Sequence, residues 1–344
     1  MRDVVTIHDV AKHAGVSPMT VSRVVNGERY VRTETRDAVL ASVRALNYAP
    51  NQAARVLAGA EERKVGLLYG NPSAAYLGEF LLGALDECGR KSAQLMLQKC
   101  ATDDDTIERA VLRKLIKSGA DGVVLPPPLG EHAGVHALLR EHDMPAVAVS
   151  PGLPLTHCSS VRIDDFRAAY DMTRHLMDMG HSQIAFIKGH PSLSASGERL
   201  RGFEAAMREG GCKVQRAFLV QGYFDYRSGL DAAEKLLARP EPPTAIFASN
   251  DDMAAGAVSA AHRRGLDVPT DLSVAGFDDT PILGALWPAV TTIRQPVAQM
   301  AERAVDLLFK EMRAKRQGVR AAFVDHVVEH SLVKRESVAA PRRR

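Results

Sequence analysis

Residues 6–27 read TIHDVAKHAGVSPMTVSRVVNG. The stretch divides into two short helices with a tight turn between them. Thr6 is placed to cap the first helix, and Asp9, three residues on, completes a capping-box arrangement. Ile7 and Val10 give that helix an apolar stripe. Ala11 is small enough for a second helix to cross closely, and Gly15 supplies a turn residue free to take positive φ. Ser17 then caps a second helix, with Pro18 at its first position, where a missing N–H costs nothing. Val21 and Val24 face inward, leaving Pro18, Met19, Thr20, Ser22 and Arg23 pointing out. An exposed N-terminal half with small polar groups and one Arg suits a DNA major groove. Spacing alone also fits a generic helical hairpin.

The runs T-I-H-D-V-A-K-H-A-G-V-S and T-V-S-R-V-V-N-G, at the extreme N-terminus, resemble the DNA-binding headpiece of the lactose-repressor/galactose-repressor (LacI) family of bacterial transcription regulators. The resemblance implies that Thr6, Ser17, Pro18, Met19, Thr20, Ser22, Arg23 and Asn26 meet operator DNA. A third helix, from about Thr35 to Leu46, would close a three-helix core with Val39, Leu40, Val43 and Leu46. Family members often carry Ser or Thr as the cap where Arg32 stands here. The expectation is that Thr33 takes over and shifts the helix start by one residue.

PNQAARVLAG, residues 50–59, follows. Asn51 can cap a helix of about two turns, too short to stand alone in water, so taken by itself the segment is a flexible linker. The pattern P-N-x-x-A-R-x-L-A resembles the family's hinge helix. That implies folding in the minor groove when two copies meet, with Leu57 wedged between base pairs and Asn51 and Ala58 beside the DNA.

At 344 residues the chain is long enough for two or three domains. It is 46% hydrophobic and 25% charged, a globular composition. No window of 18 apolar residues exists and MRDVVTIHDV lacks a secretory apolar core, so neither membrane nor export is expected. Cys88, Cys100, Cys158 and Cys212 form no CxxC pair and read as reduced thiols of a cytoplasmic protein. Residues 1–60 hold eight Lys/Arg and five Asp/Glu, so the whole net charge of +3 lies there and the remaining 36 of each sign cancel.

From Lys64 onward, short apolar runs alternate with amphipathic stretches. VGLLY precedes Tyr76–Lys91, LMLQ precedes Thr106–Ser118, then come GVVLP, AVAVS and Ala168–Met179. IAFIKG, AFLVQG and AIFAS each precede a helix, starting at Gly197, Ser228 and Asp251, and LSVAGF follows. This alternation predicts parallel sheets covered by helices, too many for one small sheet. The body resembles the periplasmic-binding-protein-like core of the same family, so the resemblance runs from Thr6 to Ser337. The expected fold is an N-terminal all-α helix-turn-helix headpiece plus an α/β two-lobed periplasmic-binding-protein-like core with two doubly wound parallel sheets. Boundaries are expected at about 1–50 (headpiece), 51–61 (hinge) and 62–338 (core), with a disordered basic tail over 339–344. Within the core, lobe 1 would take about 62–161 and 293–323, and lobe 2 about 162–292 and 324–338.

Open α/β sheets bind ligands at the carboxyl ends of their strands, here between lobes. The resemblance places an effector against Arg199 in GERLRGF, Asn250 in SNDDMAAG and Asp278 in AGFDD, with Tyr76 and Phe224 as walls and Ser150 and Gln295 completing the set. Asp251, next to Asn250, could equally cap the helix that follows. Tyr76 and Phe224 could equally be core. Arg199 and Asp278 are charges that need a partner if buried. Acid and guanidinium together suit a polyhydroxylated ligand.

His326-Val-Val-Glu329-His330 spells a zinc-like H-x-x-E-H, but in a β-branched run its histidines would lie roughly 13 Å apart on a strand, so no metal is expected. No GxSxG elbow, GxxxxGK[ST] loop or GxGxxG loop appears, so neither an enzyme nor a cofactor is expected. An exported sugar-binding protein of the same core would need a signal peptide where residues 1–60 carry the headpiece. The expected function is a cytoplasmic, dimeric transcription regulator, a repressor, whose operator affinity responds to a small polar effector such as a sugar or sugar acid. Its partners would be pseudo-palindromic double-stranded operator DNA, the effector and a second copy. No leucine-heptad helix follows residue 335, so a dimer is expected over a tetramer.

Overall fold

The structure, a computed structural model, describes residues 5–25, 31–48, 63–100, 105–319 and 322–342. The chain divides into two compact units, residues 1–62 and 63–344.

In the first unit, α1 (Ile7–Ala14) and α2 (Pro18–Val25) are followed by α3 (Thr33–Ala45). The capping box forms as its residue types require: Thr6 N–H donates to Asp9 Oδ2 at 2.8 Å and Asp9 N–H donates to Thr6 Oγ1 at 3.4 Å. Gly15 takes φ 66°, the left-handed conformation that ends α1 and turns the chain into α2. Val10, Ala11, Val21, Val24 and Val39 form the buried core. Two expectations for α3 fail. The helix begins at Thr33 with Arg32 in the cap position and no side-chain cap, because Arg carries no acceptor. Leu40 is exposed, since Val39 and Ser42 already fill the inward stripe of α3, and Ser42 Oγ is held by Ala38 O and His13 Nδ1. Asn26, Asn51, Leu57, Ala58 and the rest of the expected hinge lie outside the described residues.

The second unit holds two six-stranded sheets. In the first, the strand order is β11-β5-β4-β3-β1-β2. Its members are β1 (Arg63–Tyr69), β2 (Ala93–Lys99), β3 (Gly122–Leu125), β4 (Ala146–Val149), β5 (Ser159–Arg162) and β11 (Asp325–Val327). The second has the order β12-β10-β9-β8-β6-β7. It contains β6 (Ile184–Lys188), β7 (Leu219–Gln221), β8 (Ala245–Ala248), β9 (Ser273–Asp278), β10 (Thr291–Arg294) and β12 (Ser331–Val333). The described pairings are parallel except β10 with β12, where Ile293 opposes Leu332. Continuous apolar runs such as AVAV and AIFA are fully buried, as parallel strands covered on both faces must be.

Helices cover both sheets. Lobe 1 carries α4 (Ala74–Arg90), α5 (Asp105–Lys117), α6 (Ala133–Glu141) and α11 (Val297–Arg316); lobe 2 carries α7 (Asp165–Asp178), α8 (Ser194–Glu209), α9 (Tyr226–Leu237) and α10 (Asp251–Arg263). The chain crosses between lobes after β5, after β10 and after β11.

The boundary expectations need correcting in three places. β10 keeps Ile293 and Arg294 in the second sheet, so the return to lobe 1 falls after Arg294. β11, expected in lobe 2, pairs with β5 in lobe 1. Asp325 explains it: its carboxylate accepts from Ser160 Oγ at 2.6 Å and from Arg162 Nε at 3.0 Å, tying β11 to the first sheet. The segment 339–342, expected to be disordered, is held to lobe 2. Ala339 O meets His181 Nε2 at 2.9 Å, and Arg342 Nη1 donates to Asp271 Oδ1 at 2.5 Å. No helix among the described residues is long and apolar enough to cross a membrane.

Candidate functional site

Every strand of a parallel sheet points its carboxyl end the same way, and both sheets aim theirs at the space between the lobes. Tyr76, Ser150, Arg199, Phe224, Asn250, Asp278 and Gln295 all line one cavity there, of about 40 Å³. Tyr76 comes from α4 and Ser150 from the end of β4, both in lobe 1; the other five come from lobe 2 or the crossing after β10. Tyr76 and Ser150 hydroxyls lie 2.8 Å apart, so the tyrosine is a wall with a polar tip rather than simple core. Burial pushes its phenol above the ordinary value.

Arg199 is 4% exposed. Its Nε donates to Asp165 Oδ1 at 2.7 Å and its Nη1 to Ser249 O at 2.5 Å, while Asp278 Oδ1 stands 3.9 Å from Nη1. The guanidinium also sits 3.6 Å from the Phe277 ring centroid and 5.7 Å from that of Phe224. Asp165, the first residue of α7, is therefore the partner that a buried arginine demands. Sequence reading missed it, although the Asp164-Asp165 doublet after a strand matches the Asp251-Asp252 doublet after β8.

Asn250, not Asp251, caps α10: its Oδ1 accepts from Met253 N–H at 3.0 Å and its Nδ2 donates to Phe224 O at 3.0 Å. Asp251 is wholly buried and does a third thing. It accepts from Thr280 N–H, Thr280 Oγ1 and Thr292 Oγ1, at 2.6, 3.0 and 2.8 Å, locking the turn after β9 beneath the cavity. That turn presents Asp278, whose Oδ1 accepts from Gln295 Nε2 at 2.5 Å. Burial pushes the Asp278 carboxyl up to about 7, against the pull of Arg199 and the Gln295 bond. Burial also raises Asp165 and Asp251.

Ser150, Phe224 and Asp278 hold φ of 55°, 64° and 122°, conformations that non-glycine residues seldom adopt. Three such residues on one cavity mark a site where backbone strain is maintained by its surroundings. Asn71, Ser73, Pro127, Leu193 and Ala195 line the same cavity and were not anticipated. Ser73 caps α4, and that cap, before a helix of the first lobe, was the signal available.

In the first unit, Ser17 Oγ accepts from Thr20 N–H at 3.2 Å and so caps α2 as expected from its type. The hydroxyls of Ser17 and Thr20 lie 2.9 Å apart. Met19 is 66% exposed and Arg23 is exposed one turn further on, while Val21 and Val24 are buried. Pro18, Thr20 and Ser22 are half-buried between these faces. Thr6 stands at the start of α1 with its hydroxyl engaged by Asp9.

Comparison with known proteins places both units. Residues 6–51 match the family described as bacterial regulatory proteins, lacI family, and residues 173–338 match the periplasmic binding protein-like domain. The HTH-type transcriptional repressor PurR of Pasteurella multocida is 34% identical over 310 residues, covering 90% of this chain and 92% of that protein. The regulator DegA of Bacillus subtilis is 34% identical over 331 residues, covering 95% and 97%. Among solved structures, the transcriptional regulator CelR in complex with cellobiose aligns with TM-score 0.73 at 29% identity over 97% of this chain and 99% of that one. The lac repressor dimer bound to operator and an anti-inducer aligns with TM-score 0.73 at 28% identity over 98% and 99%. With one family signature on the helix pair, another on the lobed core and relatives matching nearly end to end, the chain belongs to the lacI family of DNA-binding transcription regulators.

Proposed function

We propose that this regulator represses transcription as a homodimer on a pseudo-palindromic operator, and that a small polar effector held between its lobes sets its operator affinity. The observation that carries this reading is the cavity. Arg199, Asn250, Asp278 and Gln295 converge on Tyr76 and Ser150 of the other lobe, so a molecule touching both sides senses the angle between them. Ligand that binds one angle better shifts the population toward it, and only differential affinity can do so. Relatives support the direction: one is named a transcriptional repressor, and solved neighbours are complexes with cellobiose and with operator DNA. On the DNA side, α2 lays its exposed N-terminal half in the major groove, with Arg23 and Met19 reading base edges. Leu57 and its neighbours serve as the minor-groove hinge.

The test is operator titration with the full chain. DNA from upstream of its own gene is bound with and without sugars, sugar acids and purine bases, using fluorescence anisotropy. Specific binding is expected, changed roughly 5–150-fold by one effector class, the usual range of such coupling. Operator affinity that no member of the panel alters would remove the effector from the reading. Equal affinity for that DNA and for random duplex would remove the operator.

A further inference from the structure

The charged groups at the cavity between the lobes are weighted toward carboxylates. Arg199 is the sole cation among its lining residues, and two of its five N–H groups already go to Asp165 and Ser249. Four carboxylates stand at or behind the cavity, two of them, Asp165 and Asp278, beside that guanidinium. Asp278 lines the cavity, Asp165 and Asp251 are buried behind it, and Asp252 of α10 acts on Asp278 through its charge, its buried Oδ2 having no hydrogen-bond partner among the described residues. The other nearby cation, Arg162, is committed to Asp325 by a 2.9 Å ion pair. Gln295 adds a further acceptor. It is 3% exposed and its Nε2 is used on Asp278, while its buried Oε1 has no hydrogen-bond partner among the described residues. A buried acceptor without a donor is costly, and a ligand that supplies the donor recovers that cost.

We propose that the effector is a hydroxyl-rich molecule that is uncharged or carries an amine, held by hydroxyl or ammonium donors on Asp278 and Gln295 Oε1, and that acids and phosphates of the same sugars are rejected. This rests on the effector reading above. An anionic group entering the cavity meets Asp278 and the Gln295 lone pairs with one shared guanidinium as the sole countercharge among the lining residues, which is rejection by an unfavourable contact. A neutral polyol turns the same groups into partners. At about 40 Å³ the cavity holds a few waters at most, so a sugar enters as the lobes part and is then enclosed.

Binding should also move a proton. A hydrogen bond donated to a carboxylate favours its ionised form. Asp278, pushed up to about 7 by burial, is partly protonated near neutral pH and drops its proton to the buffer when a ligand hydroxyl arrives. The groups that face it are Arg199 from α8, Asp165 from α7, Asp251 and Asp252 from α10, and Gln295. Tyr76, across the cavity, stays protonated because burial raises its phenol.

The experiment uses the full chain and matched sets of probes: glucose, glucosamine and glucuronate; galactose, galactosamine and galacturonate; ribose and ribose 5-phosphate; cellobiose and cellobionate. Thermal melting finds the set that binds, and calorimetry in two buffers of different ionisation enthalpy gives affinity and protons released. In the binding set the neutral or amine member is expected to bind at least about tenfold tighter than its acid or phosphate. Its affinity should rise with pH between 6 and 8, with proton release that Asp278→Asn abolishes. Tighter binding of an acid or phosphate overturns the proposal. So does a melt moved by no probe, even where a purine base still alters operator affinity and so preserves control through the cleft. A neutral sugar that binds with proton release but leaves operator affinity unchanged supports the ligand class and overturns its role as effector.

Discussion

Arg199 donates through Nε to Asp165 Oδ1 at 2.7 Å, with 5% and 1% of the two side chains exposed. The pair ties α8 to the first turn of α7 on the floor of the interlobe cavity. Removing one member of a buried pair strands the other charge, which typically costs about 3–5 kcal/mol. Arg199→Ala and Asp165→Ala are each expected to lower core stability by that order in urea unfolding. Loss of effector response in Arg199→Ala would then report a damaged lobe as readily as a lost ligand contact. Variants unfolding within about 0.5 kcal/mol of the parent would show that the pair contributes nothing to the folded core.

Asp278 gives a cleaner handle, because its effect on stability has a pH signature. Its folded-state carboxyl lies at about 7 instead of 3.8, so the folded protein holds this proton more tightly than the unfolded chain does. The stabilising contribution is complete below about pH 4 and is lost as pH rises through 7. Asp278→Asn should therefore match the parent below about pH 4 and gain on it as pH rises, by on the order of 2–3 kcal/mol between pH 5 and pH 8. His136 and His181 run the other way: burial lowers them, so their contribution is lost as pH falls through about 6.5. They are common to both proteins and cancel in the difference. Urea midpoints at the two pH values decide it, and a variant less stable than its parent at pH 8 would mean that Asp278 is ionised and held by Arg199.

Much of this was legible because each signal came from local chemistry. Caps, a glycine turn and apolar spacing specify the helix pair, and buried strands such as AVAV announce themselves by hydrophobicity. β5 did not, because Ser159 and Ser160 are polar yet fully buried. Their hydroxyls find Glu311 on α11 and Asp325 on β11, partners more than 150 residues away. The same long-range pairing put β11 in the unexpected lobe. In the cavity, side chains at strand ends were found and those behind them were not. Asp165 lay ahead of the stretch expected to be helical, Ala168–Met179, and only the fold brings Arg199 to it.

Arg23 stands exposed on the face of α2 that also carries Met19. If it reads a base edge, most naturally guanine, Arg23→Ala costs about 1–3 kcal/mol on the operator and relaxes preference at one position per half-site. Binding to the operator, to operators changed singly at each position and to random duplex makes the distinction. An equal loss on all of them identifies a phosphate contact.

The last prediction concerns how the lobes meet. Gly152, in the loop between β4 and β5 of lobe 1, donates its N–H to Ser194 Oγ at 2.8 Å, and Ser194 N–H donates to Glu131 Oε2 at 3.2 Å. Ser194 opens α8 of lobe 2, so these bonds cross the mouth of the cavity. A Cβ at position 152 would lie 2.3 Å from Ala195 N and 2.5 Å from Ser194 C, which are backbone atoms unable to step aside. Gly152→Ala should therefore leave each lobe folded and force the two apart, shifting the population from closed to open without any ligand. If effector acts through the same angle, the variant is already displaced along the coordinate that effector controls. Its operator affinity without ligand should differ from the parent's by up to the full coupling, roughly 5–150-fold, and added effector should change it less. Small-angle scattering of the free variant reports the opening, and operator titration with and without effector reports the coupling. An opened variant whose affinity and response both equal the parent's would show that the angle between lobes does not carry the signal to DNA.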